Sequence, residues 1–279
     1  MGFLGGFFNY DKPGPGIRKD GPQKKGFVIF FETWFRNFWK LITINLVYLL
    51  LSVLIIPSGL AEAGMANVCR NLARDKHSFG LSDFFDTIKK NWKQALPAGI
   101  VNFIITAMLL FAMFFYYTSE GWIASIALGL AIASFIIFSF MKYYVWLIVI
   151  TFKLPLSKIY KNCFLFAFVN VKYNLLIGIV SILVCGGLVA LALVIPYVIA
   201  WLLIGVLFLC VVPGFINLMI QFCIFPTVIK FMIDPYYEAH PGEDIELRRN
   251  LGLDIEEEDD EEETVFEDNR LLGEEDTDK

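Results

Sequence analysis

Apolar residues along this chain fall in long unbroken runs. The first extends from Phe38 to Pro57, the second from Leu96 to Tyr117, and the third from Trp122 to Phe152. A bilayer core about 30 Å thick needs about 20 residues of helix, so each run predicts a membrane span. The third is longer than one span requires, and Lys142 is its one charge. Its span is expected at 122–142, with Lys142-Tyr143-Tyr144 emerging in an aromatic belt. From Tyr173 to Met232 the chain is again almost wholly apolar. Pro196 divides this tract into expected spans at 174–195 and 200–225, and Pro213-Gly214 should kink the second. The predicted fold class is all-α: a polytopic membrane helical bundle with five full spans.

Three stretches that precede spans are amphipathic. In Phe27–Lys40, one helical face carries Phe27, Phe30, Phe31, Trp34 and Phe38. In Ser82–Gln94, Phe84, Phe85, Ile88 and Trp92 share a face opposite Asp86, Lys89, Lys90 and Lys93. Leu156–Val169 is weaker, with Ile159, Cys163 and Ala167 apolar and Lys158 and Lys161 charged. Aromatics on one side and lysines on the other suit helices lying in the headgroup plane, with Trp34, Trp39, Trp92, Lys89, Lys90 and Lys93 as interfacial anchors. The alternative is that these stretches extend the spans into water. The first two also share letters at an offset of 54 residues. Phe30-Phe31-Glu32-Thr33 and Arg36-Asn37-Phe38 answer to Phe84-Phe85-Asp86-Thr87 and Lys90-Asn91-Trp92, a signal of internal repetition.

The basic residues complicate the topology. Seven lie before or at Lys40; six lie between the first two spans (Arg70, Arg74, Lys76, Lys89, Lys90 and Lys93). Five follow the third span (Lys142, Lys153, Lys158, Lys161 and Lys172). All three segments are expected on the cytoplasmic side, yet a single first span would separate the first two. A short re-entrant helix over 60–73, after Pro57-Ser58-Gly59, removes the conflict by returning Arg70 and Arg74. The chain then reads as three units, each an interfacial helix, an outward span and a returning element, with both termini cytoplasmic. A surface-lying segment with the N-terminus outside is the competing arrangement.

Charge is unevenly divided. Residues 233–279 hold 20 acidic and 4 basic side chains, a net of −16, whereas the rest hold 8 acidic and 19 basic, a net of +11. Eight consecutive acids at Glu256–Glu263 mark 233–279 as a solvated, disordered tail. Residues 1–26 form a basic Gly/Pro-rich segment expected in the cytoplasm, without a signal-peptide pattern, so the first span should act as the insertion signal. The transmembrane domain is 27–232. With 57% hydrophobic and 18% charged residues, the composition lies on the membrane side of the globular range.

Chemistry-bearing motifs are sparse. Cys69, Cys163, Cys185, Cys210 and Cys223 form no C-x-x-C pair and read as buried apolar thiols. His77 and His240 lack zinc or nucleophile spacing, and the Gly-rich pieces lack the Lys-Ser/Thr ending of a P-loop. No enzyme, cofactor, metal or nucleic-acid partner is expected. The candidate intramembrane polar site is Glu62, Asn67, Asn217 and Gln221. A carboxylate among apolar helices is costly and often functional, and Gly59-Leu60-Ala61-Glu62-Ala63-Gly64 has the small residues of a close helix crossing. Two plainer readings stand beside this. Glu62 is solvated at headgroup level, and the amides, with Asn102, bond between helices.

The N-terminal letters carry a resemblance. Phe8-Asn9-Tyr10-Asp11-Lys12-Pro13-Gly14-Pro15-Gly16, Lys24-Lys25-Gly26 and Arg36-Asn37-Phe38-Trp39-Lys40-Leu41 resemble the YesL-like family of bacterial membrane proteins. So do Ala63-Gly64-Met65, Arg70-Asn71-Leu72-Ala73-Arg74 and Lys90-Asn91-Trp92-Lys93-Gln94. The resemblance covers about the first 95 residues, and the acidic tail looks like an addition. It implies a multi-pass protein of the bacterial plasma membrane, of unknown function, encoded near carbohydrate uptake systems and without known catalytic residues. The expected function is an accessory or regulatory component working beside a carbohydrate ABC transporter or sensor-kinase subunits in the lipid bilayer. The alternatives are a secondary transporter using Glu62 in a broken helix and a membrane scaffold. Oligomeric state is left open.

Overall fold

The computed structural model describes residues 26–54, 57–76, 78–195 and 197–235. The basic segment 1–25, His77, Pro196, His240 and the acidic tail from 236 onward, Glu256–Glu263 included, lie outside the described residues.

Every regular element among the described residues is helical. In order they are α1 (Gly26–Arg36), α2 (Phe38–Ser52), α3 (Ser58–Ala73), α4 (Leu81–Thr118), α5 (Trp122–Thr151), α6 (Leu156–Val169), α7 (Val171–Val194) and α8 (Val198–Val228). A π-helical turn, Ile229–Ile233, follows α8. Four of these, α4, α5, α7 and α8, are long and apolar enough to cross a membrane. The first predicted span is realised as α2, whose 15 residues rise only about 22 Å. Ile182, Leu193, Leu202, Phe111 and Phe114 point outward, each more than 65% exposed. An apolar girdle of that size suits lipid rather than water.

The helices group into three out-and-back units: α1–α2–α3, α4–α5 and α6–α7–α8. The returning helices α3, α5 and α8 pack on one another, and α2, α4 and α7 flank them. At the centre is α3, in which Gly59, Ala61, Ala63, Gly64 and Ala66 are buried. Small side chains let its neighbours approach closely. A Cβ on Gly59 would stand 2.6 Å from Gly99 Cα and 2.5 Å from the Ala95 carbonyl oxygen. Only glycines allow the α3–α4 crossing at this separation.

The chain junctions collect at one end. Arg36 at the close of α1 forms an ion pair with Asp75 just after α3, and Lys40 Nζ donates to the Ser78 carbonyl at 2.7 Å. Gln94 Nε2 of α4 donates to the Leu154 carbonyl just after α5, at 3.0 Å. The Arg74 guanidinium sits 4.9 Å from the Phe225 ring centroid near the end of α8. So the start of α2, the end of α3, the first turns of α4 and the ends of α5 and α8 share one end of the bundle. The opposite end carries Ser119-Glu120-Gly121, where Gly121 takes φ +109, a conformation suited to glycine.

The predicted amphipathic stretches behave differently from one another. α6 has the expected bounds, with Ile159, Cys163 and Ala167 buried and Lys158 and Lys161 exposed. α1 is shorter than its stretch and breaks at Asn37. Its aromatic face lies largely against α8, with Phe30 5.4 Å and Trp34 5.8 Å from the Phe215 ring. Residues 82–94 are the first turns of α4, continuous with the span. The letter repeat has a geometric counterpart. Asn37 Nδ2 donates to the Thr33 carbonyl at 3.0 Å, and Asn91 Nδ2 to the Thr87 carbonyl at 3.1 Å. α5 does not end at Lys142. It runs on to Thr151, and Tyr144 to Val149 are among the most buried residues of the fold, so Tyr144 is a core residue rather than part of a belt.

Candidate functional site

A cavity of about 420 Å³ lies between α2, α3, α5, α7 and α8. α3 supplies Glu62, and α2 supplies Tyr48, whose hydroxyl donates to Glu62 Oε1 at 2.8 Å. α5 contributes Ser139, Lys142, Tyr143 and Trp146, spaced at three and four residues so that they share one face. From α8 come Pro213, Asn217 and Gln221, also at spacings of four, and from α7 Ser181 and Cys185. Glu62 is 11 residues from the end of α3 and Lys142 is 9 from the end of α5. These intervals correspond to about 16 Å and about 14 Å of helix from the basic end, and both side chains are part-buried.

Glu62 and Lys142 line the same cavity from α3 and α5. The amides are partly committed: Asn217 Nδ2 donates to its own helix at the Pro213 carbonyl, 3.1 Å away. Gln221 Oε1 and Ser181 Oγ are buried without a hydrogen-bond partner, and Gln221 is only 1% exposed. Buried polar atoms left unpaired cost on the order of 1–3 kcal/mol each, so the site has spare hydrogen-bonding capacity. An acid, a base, two amides and several hydroxyls therefore face a single space walled by apolar helices.

The predicted site residues divide accordingly. Glu62, Asn217 and Gln221 come together in the cavity. Asn67 does not. Its Nδ2 donates to Thr87 Oγ1 at 2.7 Å, and its Oδ1 accepts from Arg70 Nη2 at 2.7 Å. Arg70 Nη1 in turn donates to Thr151 Oγ1 at 2.9 Å, so this network ties α3 to α4 and α5 near the basic end. Asn102 accepts from the Tyr160 hydroxyl at 2.8 Å, an interhelical bond as expected. Tyr48 and Lys142 are site residues that the sequence reading did not include. Lys142 was visible as a lone charge in an apolar run, whereas Tyr48 gave no signal.

The anchor residues lie apart from the cavity. Lys89, Lys90 and Lys93 are exposed, as are Trp39 and Trp92, and Lys93 Nζ stands 5.8 Å from the Trp92 ring centroid. Trp34 is half-buried. At the same end, burial, followed by the neighbouring Arg74 and Arg70, holds the Lys76 ammonium below the usual lysine range.

Residues 41–114 match the family described as "Protein of unknown function, DUF624". The match takes in most of α2, all of α3 and most of α4, and so includes Tyr48 and Glu62 but none of the α5, α7 and α8 residues of the cavity. No curated protein and no solved structure matches the chain. The all-helical architecture of the described residues and their four membrane-length apolar helices describe a membrane protein, of which one stretch, 41–114, matches a domain of unknown function.

Proposed function

We propose that this protein is a multi-pass transporter that takes a small polar solute into the cavity between its three units, with Glu62 as the coupling residue. The observation that carries the reading is the convergence of Glu62, Lys142, Asn217 and Gln221 on one cavity between otherwise apolar helices. Ionisable groups among such helices are costly and are retained where they bind or move charge. Transporters commonly place such sites where a short or interrupted helix meets the others. Here α2 and the 16-residue α3 form an out-and-back pair. Counting α2 as a fifth crossing, with α3 as the re-entrant return, puts the basic end and both termini in the cytoplasm of a bacterial cell.

The test uses the full chain in proteoliposomes, with an internal pH dye and a panel of small zwitterions, polyols and monovalent cations. Solute-dependent proton or sodium movement that Glu62→Gln abolishes, at normal expression, is the expected result. Absence of any flux or solute-induced stabilisation would remove the transporter reading.

A second reading is an accessory subunit of an ABC-type uptake system. It draws on the YesL-like resemblance and on one surface feature: Phe85 and Trp92 stay about half exposed beside Lys89, Lys90 and Lys93. Exposed aromatics among lysines offer a docking face as readily as a membrane anchor. Mild-detergent co-purification from native membranes separates the cases, since permease or sensor-kinase subunits in comparable amounts would favour the accessory role.

A further inference from the structure

A second cavity, of about 770 Å³, lies between α1, the α6–α7 junction and the last turns of α8. It shares no residue with the Glu62 cavity. Its walls are aromatic and aliphatic, formed by Phe30, Phe31, Leu176, Val180, Met219 and Phe222 among others. It is reachable from outside, because Phe27, Leu176 and Phe231 on its margin are each between 48% and 73% exposed. In water such a groove would collapse or be covered; in a bilayer it faces acyl chains.

Its polar residues are few, and the nitrogen groups among them carry donors. The exposed Lys230 brings a positive ammonium, and Thr227 a hydroxyl. Asn170 lies on its inner wall, 7% exposed, with its amide nitrogen buried. The backbone is also irregular here. Pro226 cannot donate to the Phe222 carbonyl, and the helix turns π-helical from Ile229. A positive charge with a hydroxyl beside it, at the margin of an apolar groove, matches an amphiphile with an anionic head and a hydrocarbon body.

The geometry points to a binding site for one anionic phospholipid. Its acyl chains would lie along Phe30, Phe31, Met219 and Phe222, and its phosphate would accept from Lys230 and the Thr227 hydroxyl beside it. The position near the basic end assigns the lipid to the leaflet on that side, where anionic headgroups and lysines attract one another by about 1 kcal/mol per basic residue.

Native mass spectrometry of the full chain in mild detergent tests this, using phosphatidylglycerol and phosphatidylcholine with identical chains. The expected result is a single retained phosphatidylglycerol, preferred about fivefold over phosphatidylcholine, as one lysine contact implies. Lys230→Gln, at an exposed position, should bring the two lipids to equal retention. Cys223→Phe, which fills the groove, should lower retention of both. Glycerol phosphate, which has the head chemistry without the chains, should not compete. Equal retention of both lipids by the unmodified chain, or a preference unchanged by Lys230→Gln, would overturn the inference. Displacement by glycerol phosphate alone would also overturn it, by showing a simple anion site.

Discussion

Asn45 Nδ2 donates to the Leu209 carbonyl at 2.8 Å. That carbonyl is the one left without its helical donor by Pro213, four residues later in α8. A polar side chain in the apolar α2 thus satisfies a backbone defect in a helix 164 residues away. Asn45→Leu should destabilise the fold by about 1–2 kcal/mol, the cost of an interhelical bond plus an orphaned acceptor. In a Pro213→Ala background, where the backbone N–H returns, the same substitution should cost much less. Thermal unfolding of the four proteins in detergent checks this, and equal costs in both backgrounds would refute it.

That pairing shows why part of the site was hidden in the sequence. Hydropathy runs located α4, α5, α7 and α8, because an apolar stretch of membrane length has few other readings. The α6 bounds followed from its lysines and its Ile159, Cys163 and Ala167 stripe. Glu62 stood out as an acid among small residues. Lys142 is equally visible, but a lysine in an apolar run more often marks the emerging end of a span than the lining of a cavity. Its role depends on Glu62 lying opposite, which no local pattern encodes. Tyr48 and Asn45 sit within a plain apolar run, and their meaning comes wholly from partners on other helices. The length of α2 was overestimated because apolar residues continue past Ser52 while the helix does not.

The Gly59–Gly99 crossing predicts an unequal response to alanine. Gly59→Ala places a methyl against backbone atoms at 2.5–2.6 Å, so the helices must separate. A loss of about 1–3 kcal/mol is expected, as for overpacked interiors. Gly187→Ala in α7 meets nothing within 4 Å and should be near neutral. Melting temperatures of the two variants give the comparison.

Asn67 and Glu62 lie on the same helix but should separate by function. Asn67→Leu removes partners from Arg70 and Thr87 and should lower stability by about 1–3 kcal/mol. It should leave solute response in the cavity intact, because Asn67 does not line it. Glu62→Gln should do the reverse, abolishing the response while the protein still folds. Paired stability and proteoliposome measurements on both variants decide.

The Arg36–Asp75 contact is exposed on both sides. Its contribution to stability is expected to be at most about 1 kcal/mol, so Asp75→Asn should scarcely change the melting temperature. Its geometry is more informative. Cysteines introduced by Arg36→Cys and Asp75→Cys, in a chain lacking the native thiols, should be bridged by a flexible bis-maleimide that replaces the reach of the arginine side chain. Failure to cross-link would contradict the hairpin formed by α2 and α3.

We place the basic junctions on one side of the membrane, brought together there by the three out-and-back units. Single cysteines introduced by Lys89→Cys or Glu120→Cys, in an otherwise cysteine-free chain, test this with a membrane-impermeant maleimide on intact cells. The arrangement predicts labelling at 120 on intact cells, and at 89 only after permeabilisation. Labelling at 89 with protection at 120 would contradict it, and with it the leaflet assigned to the apolar groove.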